Sequence, residues 1–145
     1  MDKRIVDFLD EQRVATICCI DENNLPYCFS CFYAFDCKND LLYFKSNMNT
    51  QHVQLLLHNN NVAGTINPDK LNPLAIKGVQ FTGALVAGDT VINSNAHAGY
   101  HKKYPFALAM PGTVWAIRLN TIKMTDNTLS FGKKIQWSAE DTVAV

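Results

Sequence analysis

The sequence predicts a mainly β domain of the α+β class, a small closed or partly closed antiparallel barrel of six or seven strands with two or three short helices. The first observation is a series of short segments rich in aromatic and β-branched residues and bounded by polar turns. The second is that helical spacing of apolar residues occurs in few places. The third is composition, because 145 residues that are 48% hydrophobic and 18% charged suffice for one continuous core. Residues 1–145 are therefore predicted to form a single domain.

The N-terminal part begins with a helix, because Ile5, Phe8 and Leu9 have the i, i+3, i+4 spacing of one buried stripe. Strands are then predicted at 14–20, 27–35 and 41–45. The first of these is apolar on both faces, which is typical of a strand with the core on one side and a barrel neighbour or subunit contact on the other. This two-faced strand predicts a homodimer.

Beyond residue 45 the apolar period changes, since Val53, Leu56 and Leu57 are spaced for a helix that polar capping residues precede. The remaining predicted elements are strands at 62–66, 74–86, 114–124 and 130–137, and a helix at 89–103 that Asp89 or Thr90 caps and Pro105 ends. Gly78 and Gly83 inside the long strand predict bends or bulges, and hence a strongly curved sheet.

Charge and hydropathy exclude several classes of partner. Thirteen basic and thirteen acidic residues give a net charge of zero, without the positive excess that drives binding to nucleic acid or to an anionic membrane. No apolar run approaches the roughly 20 residues that span a bilayer. Residues 1–12 have the pattern of an amphipathic helix rather than of a signal peptide. The predicted location is cytoplasmic, with neither nucleic acid nor membrane as a partner.

The five cysteines, an odd number, indicate reduced thiols rather than a disulfide framework. Cys28 and Cys31 have the CxxC spacing, which in a turn or at a helix start binds metal or forms a redox disulfide. Here the pair lies inside the predicted strand 27–35, where residues three apart point to opposite faces. Cys18 and Cys19 diverge for the same reason. Neither zinc nor a reversible disulfide is expected from either pair.

The turn that precedes the helix after residue 45 is the strongest candidate for chemistry. A helix N-terminus directs unpaired N–H groups and a positive dipole end at an anion such as phosphate. Ser46, Asn49 and Thr50 would add hydroxyl and amide donors, while Lys45 and His52 could supply positive charge. In the alternative interpretation, Ser46 or Asn49 is simply the N-cap of the helix.

Trp115 and Arg118 suit a planar ligand, because a ring needs an apolar wall and its polar edge needs donors. Alternation places them on opposite faces of a strand, so both could line one pocket only through a bend or a second subunit. The alternative is that Trp115 is a core residue and Arg118 a surface or interface residue. Lys77 and Gln80 form a third candidate set, since nearby glycines let the backbone approach a ring whose edge Gln80 could hydrogen-bond.

His97 and His101 are four residues apart on the predicted helix 89–103 and could share one face as metal or haem ligands. The lysines and tyrosines around them are more typical of a solvated helix face. No metal site is predicted from them.

Four segments carry a resemblance to a known family: VAGTI at 62–66, KGVQFTG at 77–83, TDNTLSFGKK at 125–134, and the longer stretch 113–137 that contains the last of these. They resemble the YhbP-like proteins, a group within the pyridoxamine 5'-phosphate oxidase-like family of flavin-binding split barrels. The resemblance covers nearly the whole chain and implies a split β-barrel.

The resemblance also implies a flavin mononucleotide (FMN) site. In that family the turn after a strand holds the FMN phosphate. The positions where the family usually has Thr, Ser, Arg and Lys are occupied here by Ser46, Thr50, Gln51 and His52. Trp115 and Arg118 look like the Trp and Arg that flank the flavin ring in the wider family.

The sequence therefore predicts a homodimeric split barrel that binds FMN at the subunit interface, with the phosphate on the turn 46–52. Its reaction would be flavin-mediated electron transfer with a small-molecule substrate or electron donor. The rival hypothesis is a non-enzymatic barrel that has lost flavin and holds haem, another phosphorylated ligand or a partner. Its support is Gln51, which is neutral where an Arg would pair with phosphate, and the strand 27–35, which carries no Arg or Lys.

Overall fold

A computed structural model describes residues 1–130 and 132–143 of the chain. The strands are β1 (Val14–Ile20), β2 (Pro26–Asp36), β3 (Leu41–Ser46), β4 (Asn61–Ile66), β5 (Lys77–Val86), β6 (Thr113–Asp126) and β7 (Lys134–Ser138). The α-helices are α1 (Lys3–Glu11), α2 (Gln51–His58), α3 (Thr90–Lys103) and α4 (Ala139–Val143), and a 3₁₀ turn at Pro105–Ala109 follows α3.

The sheet closes into a six-stranded antiparallel barrel. Its strands are hydrogen-bonded in the order β3-β2-β1-β4-β5-β6, and β6 returns to pair with β3. β7 is a seventh strand that pairs with the second half of β6, beyond the part that pairs with β3. The predicted barrel of six or seven antiparallel strands is confirmed.

Alternation of side chains fills the barrel interior. On β2 the side chains of Phe29, Cys31 and Tyr33 pack in or against the core, whereas Cys28 and Ser30 face outward. The opposite orientations predicted for Cys28 and Cys31 are confirmed. The rest of the interior is apolar and includes Ile17, Phe44, Leu56, Ile66, Phe81 and Leu119. Because a six-stranded barrel has little internal volume, these side chains occupy it, and a ligand must bind outside.

α1 and α2 both contribute to this core. The three apolar residues predicted to form the buried stripe of α1 are buried. In α2 the buried residues are Val53, Leu55 and Leu56, while Leu57 is 44% exposed. The predicted helix is confirmed, but its buried face includes Leu55 and not Leu57.

α3 packs on the outer face of β2, β3 and β6. It builds a second, smaller core from Ala34, Leu41, Tyr43, Ala96, Tyr100, Tyr104, Ala107, Val114 and Ala116. Asp89 caps the helix as predicted, since its carboxylate accepts hydrogen bonds from the N–H groups of Val91 and Ile92, both at 3.0 Å. One side of the barrel is thus covered by a helix.

β5 and β6 shift register between Thr82 and Gly83, so the bulge predicted at Gly83 is confirmed. A β-carbon at Gly83 would lie 2.4 Å from the Arg118 carbonyl oxygen, which explains why only glycine fits there. Gly78 pairs in regular register with Thr125 and marks no bulge.

Two strand starts differ from the prediction by three residues or more. β5 begins at Lys77 rather than at 74, because residues 73–75 form a turn. β7 begins at Lys134 rather than at 130, because the Asp126 carboxylate accepts from the Thr128 N–H at 2.9 Å and closes a turn. Residue 131 of that predicted strand lies outside the described residues. The short helix α4 is not predicted at all.

The outer faces of β4 and β5 carry no broadly packed helix among the described residues. We call the outer side of β1, β4 and β5 the open face. At its border, Val14 on β1 and Phe32 on β2 are 41% and 48% exposed. None of the described helices is both long and apolar enough to cross a lipid bilayer.

Candidate functional site

The turn between β3 and α2 brings three polar side chains together. The Ser46 hydroxyl lies 2.7 Å from Nε2 of His52. The Thr50 hydroxyl lies 3.3 Å from the Ser46 hydroxyl and 3.3 Å from the same nitrogen, and it donates to the Asn47 carbonyl at 2.9 Å. Ser46, Thr50 and His52, all predicted ligand-binding residues, therefore form one cluster at the start of α2.

His52 is held by packing as well as by hydrogen bonds. Its imidazole stacks on the Phe29 ring, with centroids 4.0 Å apart and planes inclined by 12°. Burial lowers the pKa of His52 below its ordinary value, which favours the neutral ring. A neutral imidazole can accept the Ser46 proton or donate its own, so this pair can turn a donor toward a bound oxygen atom.

The N-terminus of α2 leaves its first backbone N–H groups without intrahelical partners. Thr50 is the N-cap residue, and its side chain makes no capping hydrogen bond. The interpretation in which Ser46 or Asn49 is the N-cap is therefore wrong. Asn49 and Gln51 are exposed on the same turn. The turn thus offers backbone N–H groups, hydroxyls, amides and an imidazole at one place.

Trp115 secures the turn from the barrel interior. Its indole is buried in the core, and its Nε1 donates to the Ser46 carbonyl at 3.0 Å. The core interpretation of Trp115 is the observed one, and the hydrogen bond adds a role in positioning Ser46. Arg118 lies exposed on the opposite face of β6, as alternation predicts. It lines a groove of 830 Å³ with the C-terminal end of α2, away from the turn.

Lys45 points away from the turn, toward α3. Its Nζ donates to the Ala107 carbonyl at 2.6 Å and lies 3.1 Å from Nε2 of His101. His101 is buried, and its Nδ1 donates to the His97 carbonyl at 2.8 Å. The expectation of a solvated helix face is therefore wrong for His101, because β3 and the 3₁₀ turn cover it. Among the described residues, no group of three or more His, Cys, Asp or Glu side chains could hold a metal ion.

Gln80 is separated from the turn along β6. Ser46 pairs with Thr113, whereas Gln80 pairs with Lys123, ten residues farther along β6. At the usual rise of a strand this is about 33 Å along the extended, curved strand.

The residues around Gln80 form a second groove, of 800 Å³, on the open face. Its lining includes Cys18, Cys28 and Lys123. Lys77, three residues from Gln80 on β5, has its ammonium group 3.9 Å from the Asp126 carboxylate. Lys77 does not line this groove, because residues three apart on a strand point to opposite faces.

Two contributors to the cluster are not apparent from the sequence. Phe29 lies on the predicted strand 27–35, but nothing in the sequence pairs it with His52, which lies two elements away. The Asn47 carbonyl is a backbone group, so the residue type at position 47 does not indicate its role. Both depend on how the turn folds back against β2.

No protein-family model matches the chain. Individual sequences nevertheless decide its family. The chain is 37% identical to a UPF0306 protein from Serratia proteamaculans over 138 residues, which cover 94% of each chain. It is 39% identical to the UPF0306 protein YhbP from Salmonella paratyphi A over 130 residues, 90% of this chain and 88% of that one. The chain belongs to the UPF0306 family. The resemblance to YhbP-like proteins is thereby confirmed.

Solved structures with the same fold include proteins that bind different cofactors. A haem-binding protein from Mycobacterium smegmatis matches with a TM-score of 0.77 at 15% identity, over 94% of the UPF0306 chain and 57% of that protein. An FAD-binding protein from Mesorhizobium loti matches at 0.68 and 14% identity, over 86% and 93% of the two chains. A Clostridium acetobutylicum protein of the pyridoxinephosphate oxidase family matches at 0.66 and 13% identity, over 97% and 99%. The chain therefore has the split-barrel fold.

Proposed function

We propose that this protein is a flavoprotein that binds FMN and acts as an oxidoreductase, with the FMN phosphate on the turn 46–52. The observation that carries the proposal is the cluster of Ser46, Thr50 and His52 at a helix N-terminus that no side chain caps. The proposal is supported by the fold, which an FAD-binding protein and a pyridoxinephosphate oxidase family member share.

The turn would bind phosphate through oriented dipoles rather than through a guanidinium group. The first N–H groups of α2 and the positive end of its dipole favour an anion. Ser46 and Thr50 add hydroxyl donors. With phosphate bound, Ser46 and His52 would exchange their mutual hydrogen bond for bonds to phosphate oxygens, and a protonated His52 would supply positive charge. Hydrogen bonds to a charged group contribute about 1.5–3 kcal/mol each, which offsets the missing Arg at position 51.

The rest of the ligand needs an apolar wall and exclusion of water. Met48 lies in the turn and is 47% exposed, and Gly112 lies against Ser46 and Asn47, so an exposed apolar side chain is part of the turn. The Trp115 indole, in the barrel core, holds the Ser46 carbonyl in place through a hydrogen bond. When bound, the flavin would supply the electron-transfer chemistry, and the chain would bind and shield it.

A homodimer completes the proposed site. In the proposed dimer the second subunit would present Gln80, which lines the groove on the open face, to the ring. The surface proposed to pair is the exposed apolar pair Val14 and Phe32, which face each other four residues along the hairpin from Cys18 and Cys28 and leave those cysteines accessible. The reaction partner would be a small molecule that donates or accepts electrons.

A fluorescence titration with FMN tests the assigned turn. His52→Asn should weaken FMN binding about tenfold or more, because one hydrogen bond to a charged group is lost. His58→Asn, at the other end of α2 and exposed, is the matched control and should bind as the wild type does. Equal affinities of all three proteins would refute the turn as the phosphate site.

A haem-binding function is the second candidate. Gln51 is neutral at a position where phosphate would favour a cation, and the haem-binding protein from M. smegmatis has the same fold. A visible absorption titration separates the two candidates. A shifted haem band with saturation at one haem per protomer, together with no response to FMN, would favour haem.

A further inference from the structure

Cys18 and Cys28 face each other across the hairpin formed by β1 and β2. They are directly opposite in the register of the two strands. The Tyr33 N–H donates to the Arg13 carbonyl at 2.9 Å at one end of the pairing. Because hydrogen-bonded and non-hydrogen-bonded pairs alternate along an antiparallel ladder, residues 18 and 28 form a non-hydrogen-bonded pair.

This type of pair brings side chains closest together. The Cα atoms of a non-hydrogen-bonded pair are about 4.5 Å apart, which lies inside the range of about 4.4–6.8 Å that a disulfide spans. Burial, and after it a hydrogen bond with the Cys28 thiol, raise the pKa of Cys18. The strand register therefore places the two side chains within the span of a disulfide.

The other three cysteines have different surroundings. Cys19 is buried in the barrel core, and its thiol donates to the Tyr27 carbonyl at 3.4 Å. Burial raises the pKa of the Cys31 thiol to about 12, on the inner face of β2. Cys37 is exposed in the turn after β2. Only Cys18 and Cys28 combine a facing partner with access from a groove.

We propose that Cys18 and Cys28 are a redox-active dithiol that a low-molecular-weight disulfide converts to an intrachain disulfide. This goes beyond the proposed flavin function and does not rest on it. Cys28 is the exposed member, so its thiolate attacks the small disulfide, forms a mixed disulfide and releases one thiol. The Cys18 thiolate then attacks the Cys28 sulfur and releases the second thiol. Two protein thiols are oxidised, and one small disulfide is reduced to two thiols.

The consequence of oxidation is local. The disulfide would join two neighbouring strands of one hairpin, so it would change the wall of the 800 Å³ groove rather than the fold. Exposed disulfides of this kind are easily reduced. The wall of the groove beside Gln80 would therefore carry two thiols under reducing conditions and one disulfide under oxidising conditions.

The test uses the full chain with Cys37→Ser, which removes the isolated exposed thiol. The reduced protein is incubated with glutathione disulfide, and thiols are counted before proteolysis and mass spectrometry. We expect two of the four remaining thiols to be lost, no retained glutathione, and one peptide pair joined through Cys18 and Cys28. Adding Cys18→Ser should trap glutathione on Cys28.

Two results would overturn the proposal. One is that all four thiols of the Cys37→Ser protein stay free under conditions that oxidise a small dithiol standard. The other is that glutathione remains on Cys28 although Cys18 is present, which would show that the sulfurs cannot meet. The peptide map of the protein that retains both cysteines decides the question even where a serine variant folds poorly.

Discussion

At the scale of single residues, Ser46 and His52 are held in place before any ligand arrives. The Trp115 indole N–H fixes the Ser46 carbonyl at 3.0 Å, and the Phe29 ring stacks on the imidazole at 4.0 Å between centroids. A site whose groups are already oriented loses less conformational entropy on binding. The proposed phosphate site therefore depends on two aromatic residues that need not touch the phosphate.

The lowered pKa of His52 predicts a pH dependence of stability. In the unfolded chain the imidazole titrates near 6.5, whereas burial keeps it neutral to lower pH in the folded chain. As the pH falls below about 6.5, the unfolded state binds a proton that the folded state does not, so the free energy of unfolding falls. The loss ends below the folded-state pKa.

Urea unfolding at several pH values between 7.5 and 5.5 checks this prediction. The wild type should lose stability toward low pH more steeply than His52→Gln, which lacks the titrating ring. The other three histidines are common to both proteins, so they cancel in the difference. Parallel curves for the two proteins would show that His52 is not buried as described.

At the scale of secondary-structure elements, β6 organises the molecule. It pairs with β3 and β7 along one edge and with β5 along the other. The bulge at Gly83 lets β5 stay paired while β6 curves to close the barrel. The same strand places the Ser46 turn at one end and the Gln80 groove near the other.

Glycine substitutions on β5 test the bulge. Gly83→Ala should destabilise the protein by about 1–3 kcal/mol, because the new methyl group meets the Arg118 carbonyl and forces the backbone apart. Gly78→Ala is the matched control, since its nearest atoms would be 3.7 Å away. Its free energy of unfolding should change little or rise slightly. Equal effects of the two substitutions would argue against the described contact.

At the scale of the whole molecule, much of the barrel is predictable from local patterns. The first three strands are predicted within one residue of their observed ends, because aromatic alternation and polar turns mark them. The turn residues Ser46, Thr50 and His52 are also predictable as a cluster, since they are close in the chain. The start of β7 and the helix α4 are not, because side-chain turns and packing on β6 decide them.

Contacts that depend on strand pairing lie beyond such patterns. Lys45 is next to Ser46 in the chain but bonds to His101 on the other side of the sheet. Gln80 pairs with β6 ten residues beyond the point where the turn meets that strand. Cys28 meets Cys18 rather than Cys31, because the hairpin register and not the chain spacing sets its neighbour. Each outcome follows from the closed barrel as a whole.

The most direct measurement compares the dissociation constants of FMN and riboflavin for the wild-type protein in one buffer. The two ligands differ only in the phosphate, so the ratio isolates the contribution of the turn 46–52. We predict that FMN binds about tenfold more tightly or better, equivalent to about 1.4 kcal/mol or more. Equal dissociation constants, or no binding of either ligand, would contradict a phosphate site built on Ser46, Thr50 and His52.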